Sequence, residues 1–242
     1  MPGQDTQDNN MTELHDNRSL HDWNLINSIV LLLGTGLALY FRSINVLTVL
    51  ALMSFVVLLI SQKKVLSQYK PYGGYANWVT IFRMGLILLG IAFHASISSF
   101  GLFAILGIAL LLDLLDGWLA RRFKQESTFG MYLDMETDAL FVLLACVYLY
   151  FQGFAHIWIL IPATLRYFYR IVIFLFPKEK FKEQKQKYAA IIAGSFFVIL
   201  LLSILIQNNI QQIALVIGSL GIIASFGKSF WDYFTYADTT YQ

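Results

Sequence analysis

Charged side chains are scarce in this chain: only 13% of residues are Asp, Glu, Lys or Arg, against 57% that are apolar. That balance excludes an ordinary soluble domain, in which about a quarter of residues are charged. Cysteine is nearly absent. The one thiol, Cys146, lies inside an apolar run, so no disulfide can form within the chain and a packed core thiol is expected. With four prolines, 16 glycines and no alternation of apolar and polar residues, helices are favoured over a membrane barrel. The first 22 residues lack the basic start, apolar centre and small-residue cleavage site of a secretory signal. They read as a flexible cytosolic tail, 1–22. No nucleic-acid partner is expected.

What is present is a series of eight long apolar runs, at about 23–41, 44–61, 76–94, 97–120, 130–151, 156–176, 188–206 and 211–230. Most approach the roughly 20 residues needed to cross a bilayer as a helix. The expected fold is all-α, a polytopic membrane helical bundle. The polar linker 62–75, with Pro71, Gly73 and Gly74, sets an N-terminal two-helix hairpin (23–61) apart from a six-helix unit (76–231), which a second tail (232–242) follows.

Basic residues fix the expected orientation. Lys63, Lys64 and Lys70 occupy the 62–75 linker, Arg121, Arg122 and Lys124 the 121–129 loop, and Lys178, Lys180, Lys182, Lys185 and Lys187 the 177–187 linker. The turns near 95, 153 and 208 carry no Lys or Arg. By the positive-inside rule the basic linkers face the cytoplasm, and with eight spans both termini do too. Arg42 alone dissents, in the turn between the first two runs. Trp23, Trp78, Trp158 and Trp231 read as residues of the interfacial belts, and the glycines at 34, 36, 85, 90, 107, 194, 218 and 221 as helix-packing contacts.

Four carboxylates interrupt this apolar background at fixed spacing: Asp113, Asp116, Asp134 and Asp138. Carboxylates are costly at membrane depth and mark function by default. Asp113 and Asp116 are three apart and share a helix face, as do Asp134 and Asp138, four apart. Pairing the two helices antiparallel about the 121–129 turn brings Asp113 level with Asp138 and Asp116 level with Asp134. The pocket so formed lies about 10 Å inside Arg121, just below the cytosolic headgroup plane. Four acids there cannot all stay ionised without compensation, and the usual compensation is a hard divalent cation such as Mg²⁺. Gly117 and Ala120 continue the Asp113–Asp116 face with almost no side chain, allowing close approach of a bulky planar ligand. Arg121 at the edge can fork onto phosphate oxygens. The alternative, charges on a solvated helix end, does not account for four acids at matched depth beside two small residues.

The pattern D-x2-D-G-x2-A-R-x8-G-x3-D-x3-D, running from Asp113 through Gly130 to Asp138, resembles the signature of the CDP-alcohol phosphotransferases at every fixed position. The resemblance covers the six-helix unit and implies that this unit is catalytic. It implies an integral-membrane enzyme dependent on Mg²⁺ or Mn²⁺, with two ions, that moves a phosphatidyl-type group from a CDP-linked donor to an alcohol and releases CMP. Asp113, Asp116 and Asp134 are then metal ligands. Asp138 is a ligand that also acts as general base. Gly117, Ala120, Arg121 and Gly130 form the cytidine and diphosphate pocket. CDP-diacylglycerol is the expected donor and glycerol-3-phosphate the expected acceptor. The active site would face the cytoplasm, the membrane would be a bacterial inner membrane, and a homodimer is implied. In-line phosphoryl chemistry suits this arrangement, since it needs charge neutralised, an aligned hydroxyl and a proton acceptor.

Supporting residues carry less. Asn77, Thr80 and Arg83 follow one another at helical spacing from the same end of the third run, which suits contact with the donor diphosphate or, more plainly, helix capping and snorkelling. Arg166 and Arg170, four apart in the sixth run, could hold a phosphate on the acceptor or balance the aspartates. Lys182, Lys185 and Lys187 could assist, though a basic linker beside anionic lipid is the ordinary explanation. Glu136 reads as a headgroup-level charge, and His94 and His156 receive no role. Two rival readings stay open: an intramembrane prenyltransferase using a prenyl diphosphate, and a non-enzymatic transporter using the acids for cation passage.

Overall fold

A computed structural model describes residues 4–70, 72–178 and 187–235, with side chains from residue 19 onward except that of Lys187. Pro71, Lys180, Lys182 and Lys185, and the Lys187 side chain, lie outside the described residues. The helices are α1 (Gln4–Phe41), α2 (Ile44–Ser61), the short α3 (Lys63–Ser67), α4 (Tyr75–Ala92), α5 (Ser99–Arg122), α6 (Thr128–Phe151), α7 (Leu160–Leu175), α8 (Lys187–Leu202) and α9 (Asn209–Thr235). No strand occurs among the described residues, so the all-α expectation holds.

Each apolar run is a helix, and local chemistry sets the ends. Ser98 and Ser127 cap α5 and α6, their side chains accepting from the N–H of Gly101 and Gly130 at 3.1 and 2.9 Å. Arg121 and Arg122 sit in the last turn of α5, where the helix dipole favours cations. Gly73 and Gly74, at φ +82° and +76°, turn the chain into α4 in a region that residues with a Cβ rarely adopt. One boundary differs from expectation. No glycine or proline interrupts residues 4–33, and α1 runs unbroken from Gln4 into the first apolar run where a flexible tail was expected. Leu20 and Trp23 are buried.

Six helical stretches are long and apolar enough to cross a membrane: Ser19–Phe41, Ile44–Ser61, Tyr75–Ala92, Ser99–Arg122, Ile157–Leu175 and Asn209–Thr235. The other two expected spans are also helical but do not qualify on the same terms. The apolar stretch Tyr188–Leu202 is short, and α6 carries Asp134, Glu136 and Asp138. Large apolar side chains such as Leu33, Leu111, Leu114 and Ile191 point outward, the inversion expected where the surrounding solvent is lipid. The chain is an integral membrane protein.

The core is built around α6, which is buried along most of residues 139–149, Cys146 included. It packs against α1, α2, α4, α7 and α8, while α4 lies along α5. The N-terminal hairpin belongs to this bundle: α1 packs on α7 and α6, and α2 on α4 and α6. Trp23 is a correction to the expected interfacial belt. It is 5% exposed, with its indole N–H donating to Ser54 O at 2.9 Å, whereas Trp78 and Trp231 are exposed. Only some of the glycines mark close approach. A Cβ on Gly218 would meet Phe196 at 2.7 Å, while Gly36, Gly85 and Gly194 face open space.

Candidate active site

Three helices supply the site. α5 brings Asp113 and Asp116, α6 brings Asp134 and Asp138, and α4 brings Asn77, Thr80 and Arg83. The four acids converge, but not by direct pairing of α5 with α6: each of these helices packs on α4, and the group that joins their carboxylates is Arg83 of α4. Its side chain is 2% exposed and reaches all four acids. Nη1 contacts Asp113 and lies 3.4 Å from Asp116 Oδ2. Nη2 donates to Asp134 Oδ1 and to Asp138 Oδ1, both at 2.9 Å. The Thr80 hydroxyl stands 2.9 Å from Asp116 Oδ2 and 3.1 Å from Ala76 O. Asp116 is nearly dry at 6% side-chain exposure, while Asp113, Asp134 and Asp138 keep 30–40%.

Beside the acids opens a cavity of about 540 Å³. Asn77, Thr80, Asp116, Gly117, Ala120, Arg121, Gly130 and Asp134 all line it. The two glycines make room differently. A Cβ on Gly117 would meet nothing nearer than the Arg121 guanidinium at 3.6 Å, so its bareness leaves space for a ligand. A Cβ on Gly130 would meet Asn77 Oδ1 at 2.7 Å and Ser127 Oγ at 3.0 Å, so its bareness lets α4 close on α6. Asn77 is held there by donating from Nδ2 to Gly73 O at 2.8 Å.

The sequence model of the CDP-alcohol phosphatidyltransferase family matches residues 74–224. The chain belongs to that family. It is 30% identical over 101 residues to a CDP-diacylglycerol–glycerol-3-phosphate 3-phosphatidyltransferase of Cereibacter sphaeroides, covering 40% of this chain and 46% of that one. It is 40% identical over 99 residues to the protein of the same name in Haemophilus influenzae, covering 40% and 53%. Against CDP-diacylglycerol–inositol 3-phosphatidyltransferase 1 of Arabidopsis thaliana it is 42% identical over 71 residues, covering 27% and 31%. The chain thus spans about a third to a half of the length of these relatives. The family match leaves the α1–α2 hairpin outside it.

The acids suit a hard cation. One oxygen from each of Asp113, Asp116 and Asp134 lies within 4.8 Å of the others, close enough to share an ion. The Arg83 guanidinium can offset only one of four carboxylates, and the donors the acids offer are oxygen only, the set Mg²⁺ or Mn²⁺ takes.

Several residues stand elsewhere than the sequence suggested. Arg83 lies among the acids, and its first partners are their carboxylates rather than a donor diphosphate. Arg166 forms its ion pair with Glu136 rather than with any of the four aspartates, Nη2 to Oε1 at 2.7 Å and Nε to Oε1 at 3.2 Å. Arg170 lies over the Tyr132 ring, 5.6 Å from its centroid. Neither arginine lines the 540 Å³ cavity. Glu136 is no headgroup charge: it is 1% exposed, on the side of α6 turned from the aspartates, because α1 and α7 cover that side. A lone acid between two motif aspartates and an arginine in an apolar run are each costly unpaired, which is the signal that could have joined them. Gln125 escaped notice altogether. Its Oε1 accepts from Tyr75 N at 2.9 Å and its Nε2 donates to Lys70 O at 3.2 Å, tying the 121–129 loop to the start of α4.

Proposed function

We propose that this protein is a phosphatidyltransferase of phospholipid synthesis, moving the phosphatidyl group of CDP-diacylglycerol to glycerol-3-phosphate with release of CMP. The observation that carries this reading is the convergence of all four motif acids on Arg83 beside a cavity lined by Gly117, Ala120, Arg121 and Gly130. The acceptor assignment draws on the relatives named for glycerol-3-phosphate.

In this reading the cavity takes the cytidine and diphosphate, with Arg121 on phosphate oxygens and Asn77 and Thr80 along its wall. Asp113, Asp116, Asp134 and Asp138 would hold two Mg²⁺ or Mn²⁺ ions, which supply charge neutralisation at the diphosphate. Asp138 takes the proton from the acceptor hydroxyl. The hydroxyl oxygen bonds to the phosphatidyl phosphorus, the bond from that phosphorus to the oxygen of CMP breaks, and CMP leaves with the electron pair. All eight long helices cross the membrane, with both termini and the active site cytoplasmic, in a bacterial inner membrane, and the protein works as a homodimer.

The test is to incubate purified protein with Mg²⁺ and either CDP-diacylglycerol or a prenyl diphosphate, and with glycerol-3-phosphate, inositol, inositol phosphate, serine or choline, identifying the lipid made. Phosphatidylglycerol phosphate and CMP are expected. Another phosphatidyl lipid would replace the acceptor, prenyl transfer would replace the reaction, and cation binding with neither product would favour a transporter.

A further inference from the structure

The α1–α2 hairpin, outside the family match, carries a polar network that ends on the catalytic helix. Glu136 lies two residues from Asp134 and two from Asp138, and at about 100° of helix rotation per residue it points away from both. Asn24 Nδ2 donates to its Oε1 and Asn27 Nδ2 to its Oε2, each at 3.0 Å. Arg166 of α7 closes on Oε1 from the other side. Asn27 is itself oriented by α2, since Ser54 Oγ donates to Asn27 Oδ1 at 2.7 Å. Asn24 and Asn27 are 2% and 0% exposed, so neither amide has water as an alternative partner.

A second tier repeats the arrangement one helical turn away. Tyr132, four residues before Glu136, has its hydroxyl 3.2 Å from His21 Nε2 of α1, and Arg170, four residues after Arg166, lies over its ring. α6 is therefore gripped on opposite sides: in front by Arg83 through Asp134 and Asp138, and behind by α1 and α7 through Glu136 and Tyr132. A helix that slid or rolled would break both sets at once.

We propose that Asn24 and Asn27 are positioning residues of the carboxylate pocket: by fixing Glu136 from behind, the N-terminal hairpin sets the rotation of α6 and so the placement of Asp134 and Asp138. This rests on the reading of the four acids as the cation and transfer site. Groups that orient metal-binding side chains from outside typically change metal affinity or activity about 10–100-fold when removed.

The experiment compares full-length Asn24→Ala, Asn27→Ala and the milder Ser54→Ala with Leu47→Ala. Leu47 is fully buried in α2 against Gly34 of α1, and its truncation loosens the hairpin without touching the Glu136 network. Mn²⁺ half-saturation is read by electron paramagnetic resonance on the folded, detergent-purified protein, alongside kcat and KM for CDP-diacylglycerol. Each asparagine variant is expected to raise the Mn²⁺ half-saturation about tenfold and to lower kcat, with donor KM little changed. Ser54→Ala should shift both in the same direction by less, and Leu47→Ala should lower the melting temperature while leaving Mn²⁺ half-saturation as in the parent. Equal Mn²⁺ half-saturation and kcat in the parent and in Ser54→Ala and every asparagine variant that folds, or a Leu47→Ala shift as large as theirs, overturns the positioning role. A parent protein that binds no Mn²⁺ overturns the site reading as well.

Discussion

Replacing Arg83 by methionine removes the one positive charge that touches all four acids, while keeping a side chain of similar length. Breaking a buried ion pair from one side costs about 3–5 kcal/mol, because the partner is left uncompensated. Here three of the four carboxylates keep 30–40% exposure and can recover water; only Asp116 at 6% cannot. The lower end, about 3 kcal/mol, is therefore appropriate. For a chain of this size each kcal/mol moves the melting temperature by roughly 2–4 °C, so Arg83→Met in EDTA should melt about 6–12 °C below the parent. Divalent cation reverses the sign of the comparison. With the guanidinium gone, the carboxylate oxygens are free for the ion and the site is one charge more negative, so Mn²⁺ should stabilise the variant more than the parent. At a hundred times its dissociation constant a ligand contributes about 2.7 kcal/mol, enough to recover most of the loss. The assay is thermal unfolding in detergent, monitored by tryptophan fluorescence, with EDTA or with graded Mn²⁺. A variant that melts with the parent in EDTA, or one that Mn²⁺ raises by no more than the parent, would refute the claim that Arg83 and the cation share these oxygens.

Three further substitutions separate the parts of the site. Gly117→Ala should leave the fold intact or stabilise it by about 0.5–1 kcal/mol, as alanine does in a helix. It should also raise KM for CDP-diacylglycerol about tenfold or more through overpacking at the ligand face, and an unchanged donor KM would remove Gly117 from the pocket wall. Asp138→Asn should keep the melting temperature within a few degrees and lower kcat about 10²–10⁴-fold, the usual contribution of a general base; near-parent turnover in initial-rate assays would take that role away. Ser127→Ala removes the acceptor for Gly130 N and should cost about 1 kcal/mol, read as a lower melting temperature; an unaltered melt would mean the cap contributes nothing.

The helices and the meeting of the aspartates were legible because both follow from spacing along single helices. Apolar runs give the first, and the 121–129 turn between two pairs of acids gives the second. What spacing leaves open is which helix comes to lie against which. Arg83 faces the pocket as its register with Asn77 and Thr80 requires, yet nothing in that register says that the carboxylates, rather than a ligand phosphate, are its first partners. Arg166 was visible as a costly charge at membrane depth while Glu136 read as a headgroup-level one, and the two are 30 residues apart and on different helices. Their pairing, and the Asn24 and Asn27 amides that complete it, exist only once α1 has docked on α6 and α7. The hairpin looked like an addition for the same reason: its polar residues have partners only in the folded bundle.

The most direct test of the central claim, that the four converged acids form a divalent-cation site which cleaves a nucleotide-linked lipid, is CMP release by purified protein from CDP-diacylglycerol and glycerol-3-phosphate, in Mn²⁺ and in EDTA, with Asp116→Asn alongside. CMP should appear with the parent in Mn²⁺ alone, and neither EDTA nor Asp116→Asn should yield more than a trace. CMP formed at the parent rate in EDTA or by Asp116→Asn, or none from the parent in Mn²⁺, would contradict it.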